Sequence, residues 1–173
     1  RRQQRAQLAG KALIGQPGPA ATLTSIDGQR IDLAALYGKQ PVYLKFWATW
    51  CKPCNEQAPA FEQLYQQYGK RIAVVSVNAG YSETEADVRA FIAKYKLRMP
   101  TVIDDGSLAA KLNLRVTPQH IVIDANGRIV HVGHLDDQEL HAALERVATT
   151  APTSATVALA PQSSEPAAFK IGD

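Results

Sequence analysis

Sulfur is scarce in this chain of 173 residues, which holds two cysteines and a single methionine. Cys51 and Cys54, together with four scattered histidines (His120, His131, His134 and His141), make a poor source of the four ligands of a tetrahedral zinc site. Asn55 stands where attachment of a c-type haem needs histidine directly after the second cysteine. Long apolar runs are missing too: none approaches the roughly 18 residues of a membrane-spanning helix. The basic excess is only +3, and three arginines fall within Arg1-Arg2-Gln3-Gln4-Arg5. Without aromatic interleaving or a longer basic run, that cluster reads as a solvated tail and argues against a nucleic-acid partner. No methionine opens the chain and no signal-peptide apolar segment follows, so it reads as a processed or trimmed product. What remains, 46% hydrophobic and 20% charged residues, suits one globular domain with one core.

The two cysteines sit three positions apart in Trp50-Cys51-Lys52-Pro53-Cys54, directly after an apolar run. Where Cys51 opens a helix, positions i and i+3 share a face, and the free N–H groups of the first turn favour a thiolate on Cys51. Pro53 fits a first turn, where no donor is needed. A bridge across so small a ring would stabilise the fold by only roughly 2 kcal/mol. The pair therefore reads as redox-active rather than as a staple.

Along the chain, Gly15-Gln16-Pro17-Gly18-Pro19 breaks any opening helix, and residues 21–26 and 29–33 read as strands around an Asp27-Gly28 turn. Val42 to Trp47 is a central strand candidate, and Ile72 to Val77 another. Ala58, Phe61, Leu64, Tyr65 and Tyr68 recur at helical spacing, with a kink expected at Pro59. Ser82 with Glu85 suggests a capping box opening a helix striped by Val88, Phe91, Ile92 and Tyr95. A short strand over 99–103, a short helix over 107–112, a hairpin of 121–124 and 128–132, and a helix over 136–147 complete the pattern. The order β, α, β, α, β, α, β, β, α after an N-terminal hairpin implies an α/β fold, a mixed sheet covered by helices. Domain organisation is expected as a tail over 1–12, one domain over 13–148, and an Ala/Pro/Ser/Thr-rich linker or tail over 149–173. Phe169-Lys170-Ile171-Gly172-Asp173 echoes Leu13-Ile14-Gly15-Gln16, which suggests a second, fused domain of the same kind beyond Asp173.

Phe46-Trp47-Ala48-Thr49-Trp50-Cys51-Lys52-Pro53-Cys54, the later Val116-Thr117-Pro118, and the Ile14-Gly15-Gln16-Pro17 opening with its hairpin resemble the thioredoxin superfamily, and within it the TlpA/ResA/CcmG-like thiol-disulfide oxidoreductases. The resemblance spans roughly residues 13 to 148. It implies a thioredoxin-like fold and no cofactor, with Cys51 as an exposed attacking thiolate and Cys54, one turn deeper, as the resolving thiol. It implies a cis peptide bond at Pro118 and a Thr117 backbone free to pair with an extended substrate. Lys52 adds positive charge beside the pair. Trp50 shapes an apolar rim, shared by Trp47 unless that residue fills the core. Such proteins exchange dithiols with protein thiol or disulfide partners in the periplasm. They are often tethered by an N-terminal membrane segment and coupled to a membrane thiol protein that gives or takes electrons. The resemblance leans toward a reductase, with a disulfide-donating oxidase as the other direction.

Three residues depart from the family pattern. Lys45 stands where thioredoxins carry a buried Asp; it would lower the thiol pKa if charged, accept a proton if burial depresses its own pKa, or else snorkel to solvent. Gln57 takes the place of a Glu common in reductase relatives, and the adjacent Glu56 is expected to face elsewhere. His120 replaces an apolar residue two positions after Pro118, either on the active-site side or as a satisfied, partly buried imidazole. Two other chemistries share such a fold. A peroxidase of the peroxiredoxin type wants Thr or Ser where Ala48 stands. A copper-handling protein of the Sco type would draw on both cysteines and on His120, His131 or His134, but its cysteines are spaced one residue wider.

Overall fold

The computed structural model describes residues 10–80 and 83–150. Five strands form one sheet in the order β5-β4-β3-β6-β7: β3 (Val42–Trp47), β4 (Ala73–Asn78), β5 (Thr101–Ile103), β6 (Gln119–Ile123) and β7 (Ile129–Gly133). The pairs β3/β4 and β4/β5 are parallel, whereas β3/β6 and β6/β7 are antiparallel. A separate antiparallel hairpin, β1 (Thr22–Thr24) and β2 (Arg30–Asp32), precedes it. Helices α1 (Leu33–Leu36), α2 (Lys52–Tyr68), α3 (Glu85–Tyr95), α4 (Ser107–Lys111) and α5 (Gln138–Thr150) alternate with the strands. The expected order of elements and mixed sheet are therefore those observed.

β3 is buried along its whole length because both of its faces are covered. Tyr43 and Trp47 join Phe61 and Leu64 of α2, Val88 and Phe91 of α3, and Leu140 and Leu144 of α5 in one apolar layer. Val42, Leu44 and Phe46 join Ile31, Leu33, Leu36 and Leu108 in the other. Each such side chain stabilises the fold by roughly 1.5–3 kcal/mol through the apolar area it removes from water. The alternation leaves Lys45 on the face of Tyr43 and Trp47, toward α2.

Two local expectations change. The capping box of α3 is formed by Thr84 and Asp87, each side chain accepting the other's backbone N–H, and Glu85 is the first helical residue. Ser82 lies outside the described residues. The helix α2 runs from Lys52 to Tyr68 with Pro59 inside it, as the spacing implied. The last helix runs from Gln138 to Thr150 where 136–147 was expected; residues 151–173, including the terminal echo of the first domain, lie outside the described residues.

The chain before β3 ties down both outer strands. Gly15 N–H donates to the Ile129 carbonyl, and Ile129 N–H to that of Gln16, along β7. At the opposite edge, Ile26 N–H donates to the carbonyl of Thr101 in β5.

Candidate active site

β3 ends at Trp47, and the turn that follows delivers Cys51 to the N-cap of α2. The Cys51 backbone is extended (φ −87°, ψ 113°), and its Sγ accepts the Cys54 N–H at 3.3 Å, so the sulfur takes the place of a capping oxygen. Lys52 and Pro53 form the exposed first turn. Cys51 and Cys54 are joined in a disulfide with their Cα atoms 5.2 Å apart. In this oxidised form Cys51 is only 5% exposed rather than open to solvent, because it packs in the same layer as Trp47, Ala48 and Cys54.

Residues not anticipated from the sequence hold the turn in place. The Glu83 carboxylate accepts the backbone N–H and the hydroxyl of Thr49, and also the Asn78 side-chain amide at 2.6 Å. Asn55 donates its amide to the carbonyls of Thr49 and Cys51, while its own oxygen accepts the Tyr95 hydroxyl at 2.6 Å. Gly80 turns with φ +83°, and a Cβ there would collide with the Asp104 carbonyl. Trp47 is core, stacked on Phe91 at 4.1 Å with its indole N–H donating to Ser76, so the rim falls to Trp50, which is 60% exposed.

The Thr117–Pro118 peptide bond is cis, and Thr117 lies beyond the ladder, whose last β3/β6 pair is Phe46 with Gln119. Trp50 and Thr117 line the same groove of about 1020 Å³, with Phe46, Ala79, Gly80 and Ala109 among its other walls. The residue before Cys51 and the residue before the cis bond thus meet over one cleft.

A chain of polar groups, buried at Tyr43 and His120 and half-buried at Gln57 and His134, leads to the cis-proline. Tyr43 O–H donates to His120 Nδ1 at 2.7 Å, His120 Nε2–H donates to Gln57 Oε1 at 2.9 Å, and the Gln57 amide donates to the His134 carbonyl at 3.0 Å. The two partners fix the tautomer, since Gln57 Oε1 only accepts. His134 Nδ1–H in turn donates to the Pro118 carbonyl at 3.1 Å. Gln57 and His120, singled out separately in the sequence, therefore belong to one network that reaches the cis-proline. Burial, followed by the field of Lys45 and then of the other histidines, holds His120 well below its usual pKa and so neutral. Glu56 faces solvent, as expected.

Lys45 does not snorkel. It is 1% exposed, sits opposite His120 in the β3/β6 register, and has its Nζ 4.8 Å from the centre of the Phe61 ring. Burial lowers its pKa from 10.5 to about 7, against the opposing pull of Asp136. No group of three or more His, Cys, Asp or Glu among the described residues is arranged to hold a metal ion. Both ring nitrogens of His120 are already engaged, which leaves the copper reading without that imidazole.

Residues 14–132 match the AhpC/TSA family. The chain belongs to that family. This protein is 38% identical to the thioredoxin-like protein YneN of Bacillus subtilis, over 76% of its own length and 78% of that relative's. It is 32% identical to the thiol-disulfide oxidoreductase ResA of Bacillus cereus, over 79% and 80% of the two chains. It is also similar to the crystal structure of a secreted Mycobacterium tuberculosis disulfide oxidoreductase homologous to E. coli DsbE. That similarity covers 73% of this chain and 96% of the other, at 26% identity and a TM-score of 0.65. This AhpC/TSA protein is a thiol-disulfide oxidoreductase of thioredoxin-like fold, with Cys51–Cys54 as its disulfide.

Proposed function

We propose that this oxidoreductase reduces disulfides in other polypeptides, with Cys51 as the attacking sulfur and Cys54 as the resolving one. The observation that carries the reading is the Cys51–Cys54 disulfide at the N-terminus of α2, where Trp50 and Thr117 share one groove next to the cis bond. An extended substrate lies along the groove, pairing its main chain with Thr117 and resting on the exposed indole of Trp50. The Cys51 thiolate, favoured by the first-turn N–H groups and by the neighbouring Lys52, attacks a substrate disulfide and expels one substrate thiolate. Cys54 then attacks Cys51, releasing the second substrate sulfur, so two electrons pass to the substrate.

The same reading puts the domain outside the cytoplasm, where protein disulfides form and persist. The description of one similar structure as a secreted disulfide oxidoreductase supports this. A thiol donor at the membrane then restores the dithiol after each turnover. Equilibration with thiol/disulfide buffers tests the direction. A reduction potential near thioredoxin's, about −270 mV, is expected, and one near about −120 mV would overturn reduction in favour of disulfide donation. Cys51→Ser abolishes turnover of a protein disulfide, while Cys54→Ser accumulates the mixed disulfide.

A further inference from the structure

We propose that Arg115 selects among polypeptide substrates, favouring an extended segment that carries an acidic side chain close to its cysteine. The proposal rests on the oxidoreductase reading and names the substrate class which that reading leaves open.

Charge is unevenly placed along the groove that Trp50 and Thr117 share. Much of its wall is small or apolar, as at Phe46, Ala79, Ala109 and Val116, so a charged side chain entering it finds few partners there. Its charged lining residues are Asp104, Asp105 and Arg115. Asp104 is buried, and its two oxygens accept the Leu108 and Ala109 N–H groups. Asp105 is exposed, and one of its oxygens accepts the Ser107 N–H at 2.9 Å. Both acids follow β5, two strands away from β3 in the sheet, and are bonded to the start of α4. Arg115 stands on the opposite approach. The chain leaves α4 through Asn113 at φ +52°, a left-handed conformation that asparagine tolerates, and reaches β6 through Arg115, Val116 and Thr117. The Arg115 guanidinium is exposed, and among the described residues its one acceptor is Asn113 Oδ1 at 3.3 Å. Five N–H donors and a permanent charge thus meet a single neutral oxygen. Arg89, by contrast, holds both Glu85 and Asp27.

A visiting strand that pairs its main chain with Thr117 runs past Arg115, two residues earlier. Alternate residues of a strand point to one side, so the visitor's side chain two positions from the one opposite Thr117 comes beside the guanidinium. A carboxylate there gains a planar, two-pronged partner, whereas a lysine meets a like charge. Lys52, beside Cys51, also attracts acids, so the test must move the charge at residue 115 itself.

Peptides with one cysteine, activated as the mixed disulfide with 2-nitro-5-thiobenzoate, provide that test. The Cys51 thiolate attacks the peptide sulfur, nitrothiobenzoate leaves as a thiolate, and its absorbance gives the second-order rate. Cys54 then attacks Cys51 and releases the peptide thiol, so two electrons pass to the peptide disulfide. Glu or Lys is placed in turn at the first, second and third residue on either side of the cysteine. At one of these positions the wild type is expected to take the Glu peptide roughly three- to tenfold faster than the Lys peptide at low salt. Arg115→Ala is expected to remove most of that ratio, and Arg115→Glu to invert it, so that the Lys peptide reacts faster. The intrinsic reactivity of each peptide cancels when the ratio is compared between proteins. A ratio unchanged in Arg115→Glu, or shifted as far by Asp105→Asn as by Arg115→Ala, would overturn the assignment to Arg115. Absence of nitrothiobenzoate release from every peptide would instead defeat the oxidoreductase reading itself.

Discussion

At the scale of single residues, the chemistry behind the disulfide depends on which protons a dry interior allows. Lys45 is charged at neutral pH in the unfolded chain but partly neutral in the folded one, so folding releases a proton between about pH 7 and 10.5. The cost of burying it is absent above about 10.5, grows as pH falls, and is complete below about 7. Lys45→Met should therefore raise stability most in mild acid, on the order of 4 kcal/mol, and progressively less toward alkaline pH. Urea unfolding of both proteins across that range checks the trend, and a pH-independent difference would contradict it. His120→Leu works the other way: it removes the partner of the Gln57 carbonyl oxygen and strands the buried Tyr43 hydroxyl, the latter at about 1–3 kcal/mol. The midpoint of urea denaturation measures that loss. Lys45, Gln57 and His120 each stood out in the sequence because each departs from a pattern. That His120 and Gln57 touch was not legible, since 63 positions separate them and they meet only where the helix α2 packs on the sheet.

Elements were read well wherever a single physical signal ruled them. The apolar run of β3, the stripe of α2 and the Asn126-Gly127 turn between β6 and β7 each carried their own evidence. The start of α3 misled because Ser82 and Thr84 both precede an acid at capping distance, and the helix took the later pair. Glu83 escaped notice for a related reason. An acid just before a helix looks like a cap, yet this one reaches back to Thr49, 34 residues earlier. Its three acceptor bonds hold the turn after β3, so Glu83→Ala should lower stability by about 2 kcal/mol and slow the reaction of the reduced protein with the disulfide reagent 5,5′-dithiobis(2-nitrobenzoate), both measured on one preparation. Thr84→Ala, which removes only a helix cap, should cost about 1 kcal/mol and leave that rate alone.

For the molecule as a whole, the disulfide contributes chemistry more than strength. It closes a ring of four residues, and chain entropy assigns such a ring only roughly 2 kcal/mol. A Cys51→Ser/Cys54→Ser double variant is expected to fold cooperatively, with a denaturation midpoint only modestly below that of the oxidised protein; failure to fold would mark the bridge as structural. The segment from Gly15 to Ile26 has a different consequence. With β7 already bonded to Gly15 and Gln16, and β5 to Ile26, neither flank of the sheet offers a continuous row of vacant main-chain groups to a second polypeptide. Self-association by strand stacking is thereby discouraged, and a visiting chain is steered toward the catalytic end.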